Sequence, residues 1–329
     1  MGTLTEIESF CTTRARDRHG RNHRLMAIVV LWIWSASSSA AIDLVREQTW
    51  ATHLTATVPA AQRVWLGNAP ERALALHLAA TQTPIGGVIL LHDTGGHPDQ
   101  DTVIGPLRKR LPALGWTSLA VQMPIPDAAA KPANYPELLP VAYARIVAAI
   151  DFLHAQKVSI IVIAGYGLGA WATVNFLATQ AKSRDDIAGL VLISLPSWPG
   201  LNPALDTTST FAPLDLPRLD IFAELDLLEV RAAAPARIAA VRQASAADAT
   251  KKDIPSFSVH SPQAQALTRN KYGPAGYRQR VVAGADHFYA SHQEVLIKSI
   301  TGWLRAYWRS YSKDANTQTR ASSGASTQP

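Results

Sequence analysis

Residues 161 to 170 read IVIAGYGLGA, an apolar run that ends in three closely spaced glycines. The apolar run predicts a buried strand, and the residues after the glycines have a helical pattern. Gly165, Gly167 and Gly169 have the spacing of the G-x-S-x-G turn, which lifts a nucleophilic serine above a sheet between a strand and a helix. Here glycine stands at the serine position. The segment therefore predicts a sharp strand-to-helix turn, and it argues against hydrolysis by a serine at residue 167.

Strand-like and helix-like segments alternate along the chain, which predicts an α/β fold with a mostly parallel central sheet and helices on both faces. The predicted strands are residues 73–79, 86–92, 117–122, 158–164, 187–194, 219–223 and 278–283, and the predicted helices are 101–114, 137–156, 170–180, 227–245 and 293–308. A chain of 329 residues with 47% hydrophobic content can bury one large core. We therefore expect a single domain over residues 42–309.

The first 41 residues predict a secretory signal segment. Five arginines between Arg14 and Arg24 precede the apolar run Leu25–Trp34, and small residues follow at 35–41. The run is much shorter than the roughly 20 residues of a membrane-spanning helix. We expect cleavage near residue 40 or 41, with an uncleaved anchor as the alternative. The mature protein is then periplasmic or secreted, with no membrane span.

Composition excludes several kinds of chemistry. The only cysteine, Cys11, lies in the predicted signal segment, so the mature chain has no thiol for disulfides, metal binding or catalysis. The formal charge is only +6 and the basic residues are scattered, which argues against nucleic-acid binding. Residues 196–213, rich in Pro, Ser and Thr, predict a lid. Residues 310–329 are polar and aperiodic and predict a disordered tail.

The residues that follow the predicted strands carry the candidate site, because ligands bind beyond the carboxyl ends of parallel strands. His92–Gly96 follows one strand and the glycine turn follows another. Asp226 and His287 follow two later strands. The order of turn, acid and histidine is the order of nucleophile, carboxylate and base in one class of catalytic triad.

Four segments, GGVILLHDTGGHPD, LGWTSLAVQMP, IAGYGLGA and GADHFY, resemble the α/β-hydrolase superfamily. More narrowly, they resemble the uncharacterised bacterial family numbered 3530 among the domains of unknown function. The resemblance covers nearly all of the mature sequence and implies a hydrolase-like fold, with Asp226 as the acid and His287 as the base. It implies that His92–Gly96 lies where the superfamily forms its oxyanion hole and that Gly167 occupies the nucleophile position. It implies no established substrate.

The turn after the second predicted strand suggests a pocket for an anion. The backbone amides of Asp93, Thr94 and Leu168 are candidate donors, aided by the helix N-terminus after the glycine turn. Gly95 belongs to the same turn and allows close backbone approach. His92 is expected to bond to the backbone of the turn. Metal binding at this rim is the weaker alternative, because the spacing of the histidines matches no ligand motif; we predict no metal and no cofactor.

Each candidate residue also has a structural interpretation. Asp226 competes with Glu224 and Asp220 for the role of acid, and it would equally well cap a helix. His287 is alternatively a hydrogen-bonded structural histidine. A serine from another strand, such as Ser194, is a further candidate nucleophile if it reaches His287.

Two functions remain open. The missing serine favours a binding or degenerate member of the superfamily, in which the cleft persists without its nucleophile. The alternative is an enzyme that acts on an ester or acyl substrate, with His287 as general base, Asp226 orienting it and the backbone pocket holding an oxyanion. Trp171 and Trp198 suggest a small apolar or acyl ligand.

Overall fold

The structure is a computed structural model and describes residues 42–68, 72–180, 185–214, 216–250 and 276–324. The predicted signal segment at residues 1–41 lies outside these ranges. That segment, and the periplasmic or secreted location inferred from it, stay predictions.

The described residues form one sheet of eight strands. They are β1 (Arg63–Leu66), β2 (Ala73–Leu78), β3 (Gly86–Leu91), β4 (Trp116–Val121), β5 (Ile161–Tyr166), β6 (Ile187–Ile193), β7 (Arg218–Leu225) and β8 (Tyr277–Asp286). The order across the sheet is β1-β2-β4-β3-β5-β6-β7-β8. Strands β1 and β2 pair antiparallel, as do β2 and β4, and all other neighbours are parallel. The predicted mostly parallel α/β fold is confirmed.

Helices cover both faces of this sheet. They are α1 (Leu44–Thr57), α2 (Ile104–Arg110), α3 (Leu139–Ala155), α4 (Leu168–Thr179), α5 (Thr207–Phe211), α6 (Leu228–Arg231), α7 (Ala234–Thr250) and α8 (Gln293–Gly324). Short 3₁₀ turns occupy Ala60–Gln62, Leu111–Leu114, Pro132–Leu138 and Pro203–Leu205. The sequence did not predict α1 or β1. Helix α1 buries only Ala51 and Leu54 fully, so its apolar stripe is too thin to stand out.

Alternating strand residues build two apolar layers, one on each face of the sheet. In β3, Ile89 and Leu91 pack on the face covered by α3 and α4. Val88 and Leu90 pack on the opposite face, against α1, α2 and α8. Each such side chain is fully buried and contributes about 1.5–3 kcal/mol relative to an exposed one. The central strands are therefore fixed firmly, and their carboxyl ends hold the loops that follow.

Of the predicted boundaries that differ from the structure, two have a cause in the sequence. The helix predicted over residues 227–245 is divided into α6 and α7, and Pro235 lies in the first turn of α7, where proline is tolerated but cannot continue a preceding helix. Helix α8 extends to Gly324, so the predicted start of the disordered tail at residue 310 lies inside a helix. No proline or glycine occurs between Trp303 and Gly324 to end it.

The segment predicted as a lid, residues 196–213, packs on the domain. It contains a 3₁₀ turn and α5, and its side chains Leu205 and Phe211 are fully buried. Thr207 Oγ1 donates a hydrogen bond of 3.0 Å to the carbonyl of Pro196, which joins the start of α5 to the first residue of the segment. That this segment opens stays a prediction.

In the part of the chain that the structure describes, one helical stretch, Pro132–Ala155, is long and apolar enough to span a membrane. Its apolar side chains Ile146, Ala149 and Leu153 lie in the core. Packing against the sheet therefore accounts for this composition.

Candidate active site

Asp226 and His287 meet at the carboxyl ends of the neighbouring strands β7 and β8. The Nδ1 atom of His287 lies 2.6 Å from Oδ1 of Asp226. Their side chains are 8% and 0% exposed, respectively. The structure thus brings together the acid and the base that the sequence proposed, in a geometry in which the carboxylate fixes the orientation of the imidazole.

The other two acidic candidates point elsewhere. Asp220 is buried within β7 and pairs with Arg237 at 2.9 Å. Glu224 accepts a hydrogen bond of 2.7 Å from the backbone N–H of Gly284. Neither carboxylate contacts His287 in the hydrogen bonds of the described residues.

The carboxylate of Asp226 is held by more than the imidazole. The backbone N–H groups of Ala223 and Leu227 each donate to it at 2.9 Å, and Ser194 Oγ donates at 2.5 Å. Burial raises the pKa of Asp226, but the hydrogen bonds from His287 and Ser194, together with the Ala223 amide, outweigh burial and lower it. Asp226 is therefore ionised and fixed in direction.

Ser194 supports the acid rather than acting as a nucleophile. Its hydroxyl is fully buried and donates to Asp226. The hydroxyl of Tyr289 lies 2.9 Å from Ser194 Oγ. The backbone of Ser194 has φ of 51°, a left-handed conformation that is uncommon for non-glycine residues. The sequence hypothesis that Ser194 attacks through His287 therefore lacks the required contact. The supporting role of Tyr289 was not predicted.

The glycine turn has the geometry that its spacing predicts. Gly167 links β5 to α4 with φ of 53° and ψ of −117°. Its N–H donates to the Ile193 carbonyl at 2.9 Å. A Cβ atom at this position would lie closer than 3.0 Å to the carboxylate of Asp93, a separation that real Cβ atoms essentially never show. The space of the missing side chain is therefore occupied.

Asp93 fills this space with its own side chain. Its Oδ1 accepts a hydrogen bond of 2.6 Å from the backbone N–H of Leu168, and its Oδ2 lies 3.0 Å from Nε2 of His287. The partial positive charge at the N-terminus of α4 also favours a carboxylate here. From the sequence we expected Asp93 to contribute its backbone amide to an anion pocket. The structure instead places its carboxylate on the Leu168 amide, because Gly167 leaves room for it.

His287 thus lies between two carboxylates. Burial alone lowers the pKa of His287, but the hydrogen bonds and charges of Asp226 and Asp93 outweigh it and raise the pKa to about 9. At neutral pH the imidazole is protonated and donates from both nitrogens. It becomes a general base only when one of the carboxylates is neutralised or displaced.

Tyr166 hydrogen-bonds to the backbone of His287. Its side chain points away from the space above Gly167, as expected for the residue before the turn, and its hydroxyl donates to the His287 carbonyl at 2.9 Å. Burial raises the pKa of Tyr166 far above its ordinary value, so the hydroxyl stays protonated as this bond requires. Asp286, the residue directly before His287, caps the turn: its Oδ1 accepts a hydrogen bond of 3.0 Å from the Tyr289 N–H.

His92 has a structural place beside the site. The backbone N–H of Met123 donates to its Nε2 at 2.9 Å, which leaves the proton on Nδ1, and Nδ1–H donates to the Asp93 carbonyl at 2.7 Å. Burial lowers the pKa of His92 to about 4, so the ring is neutral. This is the backbone bonding that the sequence favoured. These bonds of His92 fix the turn. In the same turn, Thr94 Oγ1 donates to Asp93 Oδ1 at 3.2 Å, and Gly95 has a positive φ of 67°.

His97 turns away from the candidate site. Its ring lies 4.1 Å from the ring of Trp50, and the N–H of Asp99 donates to its Nδ1. Within the described ranges, no group of three or more His, Cys, Asp or Glu side chains is arranged to hold a metal ion.

A small cavity is lined in part by Asp93. Its volume is about 10 Å³, which is near the minimum for one water molecule. Its lining includes the polar residues His92 and Thr94 and the apolar residues Met123, Leu138 and Trp171. The ring of Tyr135 contacts Trp171 at a centroid distance of 6.5 Å. A substrate larger than water therefore requires a side chain or the capping turn at Pro132–Leu138 to move.

The sheet order, the strained turn above β5 and the acid and base after β7 and β8 define the α/β-hydrolase fold. Residues 41–142 match the family described as Protein of unknown function (DUF3530). The match supports the sequence resemblance to this family over those residues.

Solved structures are similar in fold. Est1E from Butyrivibrio proteoclasticus, in a structure with ferulic acid bound, is 14% identical, with a TM-score of 0.52 and coverage of 74% of this chain and 98% of that one. A putative alpha/beta hydrolase of unknown function from Agrobacterium tumefaciens is 16% identical, with a TM-score of 0.51 and coverage of 74% and 94%. No curated protein matches the chain in sequence. At these identities the likeness establishes the fold alone.

Proposed function

We propose that the protein is a hydrolase that works without a serine, in which His287 transfers protons under the control of Asp226. The observation that carries this proposal is the buried imidazole of His287, 2.6 Å from Asp226 and 3.0 Å from Asp93. A titratable group with a strongly perturbed pKa at the carboxyl edge of a parallel sheet is characteristic of an active site.

The backbone strain beside Asp226 and His287 supports an active enzyme over a protein that has lost its activity. Ser194 keeps a left-handed backbone at φ of 51° and gives its hydroxyl to Asp226. Such strain costs about 1–3 kcal/mol and persists where the surrounding structure enforces it, often at functional sites. A site without any function would not need to hold an ionised acid and a protonated base in this strained arrangement.

The chemistry around the pair suits a small apolar substrate. The cavity beside Asp93 has apolar walls that include Met123 and Trp171. Exposed apolar side chains also lie within two residues of the acid or the base in the sequence: Leu225, Leu227, Leu228 and Phe288. Apolar surface with a few convergent polar groups is the usual composition of a small-molecule site.

The second candidate is a binding protein with the same fold. It is favoured by the cavity of about 10 Å³, which leaves no room for a substrate in the closed state, and by Asp93, which satisfies both His287 and the Leu168 amide. In this alternative the site is closed on itself, and ligand binding requires Asp93 to move.

A His287→Gln variant distinguishes the two functions. Residues 42–329 are assayed with three classes of substrate: acyl esters of several chain lengths, the alkyl halide n-butyl bromide and the epoxide styrene oxide. We expect turnover of at least one class to fall about a thousandfold in the variant. The control is His154→Gln, because His154 is an exposed histidine on α3, and its turnover is expected to equal that of the natural protein. Equal rates in all three proteins, or turnover by none, would exclude the enzyme and leave the binding protein.

A further inference from the structure

The carboxylate of Asp93 lies where the fold provides for a nucleophile. The turn at Gly167 has the positive φ, 53°, that lifts a side chain toward the base, yet residue 167 has no side chain. A Cβ at Gly167 would meet the carboxyl carbon and both carboxylate oxygens of Asp93. The reactive position is therefore filled by a side chain from the loop after β3 instead of one from the turn after β5.

The two oxygens of Asp93 are held differently. Oδ1 accepts from the Leu168 N–H at 2.6 Å and lies at the N-terminus of the twelve-residue helix α4. Oδ2 faces Nε2 of His287 at 3.0 Å. One oxygen thus lies on a donor that stabilises a developing oxyanion, and the other lies beside the proton-transfer group.

We propose that Asp93 is the nucleophile and that the substrate is an apolar molecule with an electrophilic saturated carbon, such as an alkyl halide or an epoxide. The inference rests on the proposed function, because the second step needs His287 as a base. It assigns to Asp93 a covalent role that carboxylates perform in other enzymes.

In the first step, a lone pair on Asp93 Oδ2 forms a bond to the saturated carbon. The bond from that carbon to the leaving group breaks: a halide departs with the electron pair, whereas the ring oxygen of an epoxide keeps the pair, stays in the molecule and takes the Nε2 proton of His287. Asp93 becomes an uncharged alkyl ester. Its carbonyl oxygen, Oδ1, remains on the Leu168 amide.

In the second step, His287, which has by then lost the proton on Nε2, takes a proton from water, and the water oxygen adds to Cγ of Asp93. The C=O electron pair moves to Oδ1, where the Leu168 amide stabilises the negative charge. The bond from Cγ to Oδ2 then breaks, and the alcohol leaves with Oδ2 and a proton from His287. The carboxylic acid that remains contains the oxygen of water, and it loses its proton to solvent, which regenerates the carboxylate.

The charges in the site fit this sequence of steps. While Asp93 is ionised, it contributes to the raised pKa of His287 and the imidazole is protonated. Once Asp93 is esterified, its charge is gone and only Asp226 still favours the protonated ring. The imidazole then releases its Nε2 proton, to solvent water or to the ring oxygen of an opened epoxide, and becomes available as a base only after the covalent intermediate has formed.

An acyl ester is the less suitable substrate for the same geometry. Attack of a carboxylate on an ester carbonyl gives a mixed anhydride and expels a more basic alkoxide, which is unfavourable. The oxyanion of the substrate would also need the Leu168 amide, and that donor is occupied by Asp93 Oδ1 at 2.6 Å. Alkyl transfer needs no additional oxyanion donor in its first step.

The position of the isotope label after a single turnover tests the inference. The protein, in excess over n-butyl bromide or styrene oxide, is incubated in water enriched in heavy oxygen, and the peptide with Asp93 is analysed by mass spectrometry. We expect one heavy oxygen in Asp93, none in the peptide with Asp226, and an alcohol without label. In His287→Gln we expect the alkyl adduct on Asp93 to accumulate.

Two variants complete the test. Asp93→Asn keeps the shape of the side chain and is expected to lose turnover about a thousandfold or more, whereas Asp151→Asn, at an exposed position on α3, retains it. Label in the alcohol and none in Asp93, or no adduct on Asp93 in His287→Gln with either probe, would overturn the nucleophile. Turnover that still depends on His287 in that case leaves the proposed function intact.

Discussion

Gly167→Ser is expected to destabilise the protein and to yield no serine hydrolase. The new Cβ would overlap the Asp93 carboxylate, and the backbone at φ of 53° is strained for any residue with a side chain. Overpacking costs about 1–3 kcal/mol, and a left-handed conformation costs about 1–3 kcal/mol. We expect the free energy of unfolding to fall by roughly 2–6 kcal/mol, measured by urea denaturation.

A control and a double variant separate the two causes. Gly200 has φ of 87° with no atom within 4 Å of an added Cβ, so Gly200→Ser measures conformational strain without a clash. Asp93→Gly combined with Gly167→Ser removes the overlap, and it is expected to regain most of the clash cost and to place a hydroxyl beside His287. A Gly167→Ser protein that is as stable as the natural one, or that hydrolyses esters with Asp93 present, would show that the carboxylate does not occupy this space.

Arg237→Met is expected to be the most destabilising change outside the site. Arg237 and Asp220 are fully buried and joined by bonds of 2.9 and 3.1 Å. The Tyr277 hydroxyl and the Gln279 amide also donate to Asp220, at 2.9 and 2.8 Å. Removing one partner of a buried ion pair costs about 3–5 kcal/mol, because the other charge stays buried. This network connects α7 with β7 and β8, the two strands that precede Asp226 and His287.

The matched control is Arg46→Met. Arg46 is 44% exposed and lies 3.6 Å from Asp43, and such surface pairs contribute at most about 1 kcal/mol. In urea denaturation we expect a large decrease for Arg237→Met and little change for Arg46→Met. Partial recovery is expected when Asp220→Asn is added to Arg237→Met, because the isolated charge is removed. Equal stability of the two single variants would contradict the role given to the buried network.

The sheet could be predicted from the sequence because its signals are local. Buried parallel strands such as β3 and β5 are short apolar runs bounded by glycine and polar residues, and each such run predicts a strand by itself. The turn at Gly167 could be predicted for the same reason, since the spacing of three glycines encodes the sharp bend. Helix α1 could not, because most of its side chains face solvent and its apolar pattern is weak.

The site could be predicted only in part. The chain order of Asp226 and His287 follows from the order of the strands, so their meeting at one sheet edge could be anticipated. The role of the Asp93 side chain depends on the space left by Gly167 and on the position of His287, both distant in sequence. Only the fold joins these three positions. The signal available in the sequence was an ionisable residue shortly after β3, Asp93, together with a glycine at the nucleophile position, Gly167.

Titration of His287 by nitrogen NMR tests most directly whether Asp93, His287 and Asp226 form one site. The groups that face the ring are the carboxylates of Asp226 and Asp93, from the loops after β7 and β3, and the neutral hydroxyl of Tyr166 on β5 donates to the His287 carbonyl. Because the pKa of His287 is raised from 6.5 to about 9, its protonation stabilises the fold fully below 6.5, and this stabilisation is lost as the pH rises through about 9.

We predict a pKa near 9 for His287 in the natural protein, a lower pKa in Asp93→Asn because one carboxylate charge is removed, and no change in Asp151→Asn. A His287 pKa near the ordinary 6.5 that does not respond to Asp93→Asn would contradict the account.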